Sequence, residues 1–103
     1  MQFIVDIRPS LPPEWSTEQL AAMLLRETDA AIAFMEQGVL VRIDRVVGRG
    51  GNISVWNVSS LEELDRALGS LPLAPYLTFD VTPIVKHRVQ LAFEERKLKA
   101  GVR

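Results

Sequence analysis

The stretch Val39-Leu40-Val41-Arg42-Ile43-Asp44-Arg45-Val46-Val47-Gly48-Arg49-Gly50-Gly51-Asn52-Ile53-Ser54-Val55-Trp56-Asn57-Val58 decides the fold. Val39, Val41, Ile43 and Val47 recur with the period of two expected of a half-buried strand. Gly48-Arg49-Gly50-Gly51 supplies a turn and Asn52–Val58 a second apolar run, so the stretch reads as a β-hairpin. The glycine run lacks the Lys-Ser/Thr of a phosphate loop and joins two strands, so it is read as a turn. Arg45 continues the parity of Val41, Ile43 and Val47 and is expected to point toward whatever covers the sheet.

Working outward, Phe3, Val5 and Ile7 alternate with polar residues through a strand at Gln2–Arg8, which Pro9, Pro12 and Pro13 end. Ser16 with Gln19 three residues on forms a capping box, which predicts a helix running to about Gln37 with Gly38 as its stop. After the hairpin, Ser60 and Glu63 suggest a second capping box before a short helix through Leu68. Leu71-Pro72-Leu73-Ala74-Pro75 is a proline-punctuated loop, and Leu77, Phe79 and Val81 mark one face of a last strand. The order β-α-β-β-α-β favours an α+β fold, an antiparallel sheet with both helices on one face, the ferredoxin-like arrangement. By the same parity Ile4, Val46 and Trp56 lie on the other face, which predicts dimerisation or a higher homo-oligomer. The 103 residues fit one domain, 1–103, with 88–103 as a charged, helix-prone tail.

Composition narrows the function. Twelve Lys and Arg balance thirteen Asp and Glu, so the chain has no electrostatic footprint for nucleic acid or an anionic membrane. The absence of cysteine removes disulfides, thiolate metal sites and cysteine nucleophiles, and a single histidine argues against a His-based metal site. No run approaches the ~20 apolar residues of a membrane span, and Met1–Asp6 lacks the features of a signal peptide, so the default expectation is a soluble cytoplasmic protein.

The chemistry-bearing anomaly lies on the first helix. At about 100° per residue, Leu20, Met23, Leu24, Ala31, Phe34 and Met35 form an apolar stripe, opposite Arg26, Asp29, Glu36 and Gln37. Glu27 falls in the middle of that stripe. A carboxylate there is costly in its charged form, and desolvation raises its pKa toward the range of a general acid or base. The competing reading is a structural ion pair, with Arg45 the obvious partner; Arg45 is alternatively a bidentate anchor for a substrate carboxylate. Asn52 and Ser54 are candidate donors to a developing oxyanion, although strict alternation puts them on the face away from Glu27 unless a bulge intervenes. His87, after the last strand, is either a surface histidine or a proton carrier at a pocket rim. Trp15 and Trp56 are expected to pack rather than to stack bases.

These residues carry a resemblance. Arg45-Val46-Val47-Gly48, Asn52-Ile53-Ser54-Val55-Trp56-Asn57-Val58 and Leu71-Pro72-Leu73-Ala74-Pro75-Tyr76, in this order and spacing, resemble the muconolactone Δ-isomerase family, which includes chloromuconolactone dehalogenases, over Met1 to about His87. The resemblance implies a dimeric α+β barrel subunit that can assemble into a decamer. It also implies cofactor-free proton transfer in an unsaturated lactone of aromatic-compound degradation. It matches Glu27 to the family's proton carrier, and Arg45, Asn52, Ser54 and His87 to pocket positions of the same residue type. Two positions depart from it: Leu24 stands where the family has lysine, and Gly50 where it has tyrosine. The same base could instead expel chloride from a chlorinated lactone as a dehydrohalogenase. A cofactor-independent monooxygenase and a non-catalytic binding protein are the other classes this scaffold accommodates.

Overall fold

The computed structural model describes residues 1–101; Val102 and Arg103, the last two positions of the expected tail, lie outside the described residues. The chain forms β1 (Gln2–Pro9), α1 (Thr17–Glu36), β2 (Leu40–Arg45), β3 (Asn52–Asn57), α2 (Leu61–Gly69), β4 (Leu77–Ile84) and α3 (Arg88–Gly101), with a 3₁₀ turn at Ala74–Tyr76 before β4. The strands make one antiparallel sheet in the order β2-β3-β1-β4, the ferredoxin-like order. No helix of the described residues is long and apolar enough to cross a membrane.

The expected capping box is complete at α1, whereas at α2 only the Ser60 half forms, because the Glu63 carboxylate accepts the Ser59 N–H at 2.7 Å instead. The Ser16 hydroxyl accepts the Gln19 backbone N–H and the Gln19 side chain accepts the Ser16 N–H, while the Ser60 hydroxyl accepts the Glu63 N–H. Each cap satisfies donors that the first helical turn leaves unpaired. Gly38 follows α1 at φ +76°, a conformation that favours glycine.

The core lies between the sheet and α1 and α2. Phe3, Val5 and Ile7 of β1 are buried against Leu40, Trp56, Leu64, Leu68 and Leu71. Trp56 meets Phe34 of α1 edge-on, ring centroids 5.5 Å apart.

The hairpin departs from its expected parity, and register gives the reason. A bulge between Leu40 and Arg42 inserts Val41 as an extra residue, so Leu40 turns inward and Val41 is 52% exposed. Beyond the bulge Ile43 pairs with Ser54 and Arg45 with Asn52, which keeps Ile43 and Arg45 on the helix-covered face. Val46 and Val47 fall after β2, and Val47 is 86% exposed in the turn. On β3 the expected assignment is reversed. Asn52, Ser54 and Trp56 stand opposite the inward Ile7, Val5 and Phe3, so they face inward and Ile53 and Val55 face outward. Trp56, expected on the outer face, is instead 1% exposed in the core.

A buried polar pair makes that reversal tolerable. The Trp56 indole N–H donates to the Ser54 hydroxyl at 2.8 Å, and that hydroxyl donates to the Val5 carbonyl at 3.3 Å. Replacing Ser54 by Ala leaves the indole donor unpaired in the core. The expected result is a loss of about 1–3 kcal/mol of stability, measured by urea unfolding, with turnover at 25 °C unchanged.

Candidate active site

A cavity of about 420 Å³ opens between the middle of α1, the β2–β3 end of the sheet and the two proline-rich loops. Its walls are mainly apolar, with Ile7, Leu11, Leu24, Ile43, Leu73 and Leu77 among them. The polar groups are few: Glu27 from α1, Arg45 from β2 and Asn52 from β3. A concave, mostly apolar cleft with a few convergent polar groups is the usual form of a small-molecule site. A larger groove of about 780 Å³ runs between α2 and β4, but its titratable groups, Glu62 and Asp65, belong to the exposed face of α2. The chemistry therefore points to the smaller cavity.

The loops that frame it are tied together. The Ser10 N–H donates to the Tyr76 carbonyl at 2.7 Å, and Trp15 packs edge-on against Tyr76 at 5.0 Å. Trp15 thus packs, as expected of it. Leu73, in the Leu-Pro-Leu-Ala-Pro loop, turns its backbone N–H to Glu27, donating to Oε1 at 3.0 Å. Glu27 is half-buried, and desolvation pushes its pKa above 4.5, partly opposed by that hydrogen bond. Among the described residues no cation lies within 4.0 Å of its carboxylate, so the expected ion pair with Arg45 does not form. Leu24, one turn before Glu27 in the cavity wall, gives the carboxylate an apolar neighbour.

Arg45 forms no ion pair among the described residues either, which leaves its guanidinium available to an anionic ligand. Asn52 Oδ1 is buried without a hydrogen-bond partner among the described residues. An amide's oxygen and nitrogen are interchangeable by a side-chain flip, so Asn52 offers the cavity either an acceptor or donors.

The five residues singled out from sequence therefore divide. Glu27, Arg45 and Asn52 line one cavity. Ser54 is on the same sheet face but outside the lining, its hydroxyl engaged by Trp56 and Val5. His87 is exposed outside the cavity, and its Nδ1 accepts the Val89 N–H in the first turn of α3. The Leu73 amide was missed because a backbone donor has no residue-type signature, although the prolines flanking it mark a rigid loop. Gly51 also lines the cavity, and at Gly50 an added Cβ would stand 3.6 Å from Pro9 Cγ, so a side chain there would lie over the rim.

Fold and cavity together define a small α+β protein with one partly desolvated carboxylate in an apolar pocket. The chain belongs to the muconolactone delta-isomerase family, whose model matches residues 1–90. It is 34% identical over 87 residues to the muconolactone delta-isomerase of Cupriavidus pinatubonensis, a match covering 84% of this chain and 95% of that one. The Rhodococcus opacus muconolactone delta-isomerase is also 34% identical, over 81% of this chain and 85% of its own. A crystal structure of muconolactone isomerase superposes with a TM-score of 0.79 at 28% identity, covering 85% of this chain and 92% of that one. The 5-chloro-2-hydroxyhydroquinone dehydrochlorinase of Burkholderia phenoliruptrix shares the fold, with a TM-score of 0.58 at 15% identity over 86% of this chain and 98% of that one.

Proposed function

We propose that this chain is an isomerase that shifts the ring double bond of a muconolactone-like, carboxylate-bearing unsaturated lactone, with Glu27 as the proton carrier. The observation that carries the proposal is the state of Glu27. One carboxylate oxygen is held by the Leu73 N–H, and among the described residues no cation lies within 4.0 Å of it in a largely apolar cavity. Such a carboxylate is oriented, and its upward-shifted pKa makes it a stronger base than a solvated one.

Ionised Glu27 removes a proton from the carbon adjoining the conjugated system. The C–H electron pair moves into the ring, and negative charge develops on the lactone carbonyl oxygen as a dienolate. The protonated Glu27 then returns the proton at the far carbon, the double bond shifts, and the carboxylate is restored. Atoms and charge balance within one substrate molecule, so the step calls for no cofactor. In this reading the Asn52 amide donates to the dienolate oxygen and Arg45 holds the substrate carboxylate, which their shared lining of the cavity supports. Arg45→Gln is expected to raise KM by about 10- to 100-fold with a smaller change in kcat; steady-state kinetics check this.

Homo-oligomerisation belongs to the same proposal. The outer sheet face carries Ile4, Ile53, Val55 and Ile84, and a dimer through it covers that face. Incubation with muconolactone, followed by proton NMR, tests the activity.

A further inference from the structure

Strand register divides the floor of the Glu27 cavity into two unlike sides. Arg45 of β2 pairs with Asn52 of β3, and Asn52 with Ile7 of β1. Pro9, on the same face of β1 as Ile7, pairs with Leu77 of β4. The polar groups of the floor therefore stand on β2 and β3, and its β1–β4 side is apolar. β2 and β4 are opposite edge strands, three inter-strand spacings or about 14 Å apart. Leu11, which follows Pro9 in the first proline-rich loop, and Leu73, which precedes Leu77 in the second, extend the apolar wall.

A bare muconolactone asks for little of that wall. Four bonds separate its carboxylate carbon from its lactone carbonyl carbon, about 5 Å at ordinary bond lengths. Held at Arg45 and Asn52, it occupies the β2–β3 side and stops short of Leu77. It is also rich in oxygen, a poor match for leucine. The cavity of about 420 Å³ nevertheless falls within the roughly 300–1,000 Å³ of clefts that hold drug-sized ligands. Leu24 and Ile43 in its wall are 46% and 39% exposed. Such surface stabilises a ligand only where the ligand brings apolar surface of its own. The rim points the same way. A Cβ at Gly50 would stand 3.6 Å from Pro9 Cγ, so glycine there leaves the Pro9 side of the cavity open.

We infer that the cavity takes a lactone acid bearing an alkyl substituent, with the carboxylate at Arg45 and the alkyl group against Pro9, Leu11 and Leu77. This rests on the isomerase reading above and names the substrate class of that same site. The substituent belongs on the ring carbon that neither gives nor receives the proton. There it leaves both reacting carbons open to Glu27 and adds apolar surface on the side where the wall is apolar.

Two comparisons on the full chain test this. The first is kcat/KM for muconolactone against its propyl derivative, substituted at that ring carbon. The second is calorimetric Kd for the saturated counterparts of both, which keep the carboxylate and the ring but have no double bond to move. The propyl compound is expected to be favoured by about 10- to 100-fold in each, the scale on which an apolar pocket distinguishes added methylenes. Gly50→Leu, which fills the space beside Pro9, is expected to bring the two saturated acids to within about threefold of each other. Equal Kd values in the parent, a preference for the bare acid, or a propyl preference that survives Gly50→Leu intact overturns the inference. Turnover of neither lactone overturns the isomerase reading instead, and the saturated acids then still decide what the cavity prefers.

Discussion

Glu27→Gln is expected to lower kcat by about 10²–10⁴-fold, the range set by removing a positioned acid–base group, while leaving the protein as stable as the parent or more so. Gln keeps an Oε1 to accept the Leu73 N–H, so the local geometry survives and only the proton-accepting charge is lost. The stability half follows from linkage. Burial raises the folded pKa of Glu27 above the ordinary 4.5, so between the two values the folded state binds more protons than the unfolded one. Stability therefore falls as pH rises through that window, and the penalty of the ionised carboxylate is complete above it. Gln does not titrate. The two proteins should match most nearly in denaturant midpoint below pH 4.5 and diverge in favour of Gln toward neutrality. The kcat/KM of the parent should rise with pH through an apparent pKa above 4.5, as expected of a base that acts ionised. A carboxylate that costs stability and supplies rate is the pattern expected of a functional group rather than a structural ion pair.

Gly51→Ala is expected to be the most damaging small substitution in the chain. Gly51 lies at φ +93°, and a Cβ there would stand 2.0 Å from the Ile7 carbonyl oxygen. The obstacle is β1 backbone, which cannot rotate aside as a side chain can, so the turn must leave its seat against β1. Disfavoured φ and backbone collision together should cost about 3 kcal/mol or more, a large share of a typical 5–15 kcal/mol total. Gly48 provides the control. It has φ +90°, but among the described residues nothing lies within 4 Å of where a Cβ would stand, so Gly48→Ala should cost only about 1–2 kcal/mol. Thermal unfolding of the pair separates close approach from conformation alone. Because Gly51 also lines the cavity beside Asn52, any folded fraction of Gly51→Ala should bind substrate poorly.

The fold was legible wherever the sequence carried a local physical signal. Ser16 with Gln19 and Ser60 with Glu63 announced two helix starts, and Leu77, Phe79 and Val81 gave the inward face of β4 correctly. Glu27 stood out for the same reason, because a charge in an apolar helical stripe needs only the 3.6-residue period to be noticed. The sheet faces of the hairpin were not legible. The bulge at Val41 leaves no mark in Val39-Leu40-Val41-Arg42-Ile43, and the one inserted residue turns Leu40 inward and leaves Val41 exposed. On β3 the isoleucine and valine looked like core, whereas register against β1 puts Ser54 and Trp56 there. Only the Trp56–Ser54–Val5 hydrogen bonds make that arrangement acceptable, and those depend on tertiary contact. That inversion also moved Asn52 from the wrong face into the cavity. The Leu73 N–H and the engagement of His87 with the start of α3 are likewise consequences of how loops and helices meet, which spacing along the chain does not encode.

The central claim is that Glu27 carries a proton across the ring of a muconolactone. It is tested most directly by proton NMR in heavy water, with muconolactone and its chlorinated analogue each given to the parent and to Glu27→Gln. The account predicts that the parent shifts the double bond of muconolactone and that Glu27→Gln, folded and stable, is slower by about 10²–10⁴-fold. Chloride release from the analogue by the parent alone would place elimination on the same base. Full-rate isomerisation by Glu27→Gln, or no change in either substrate with the parent, would contradict it.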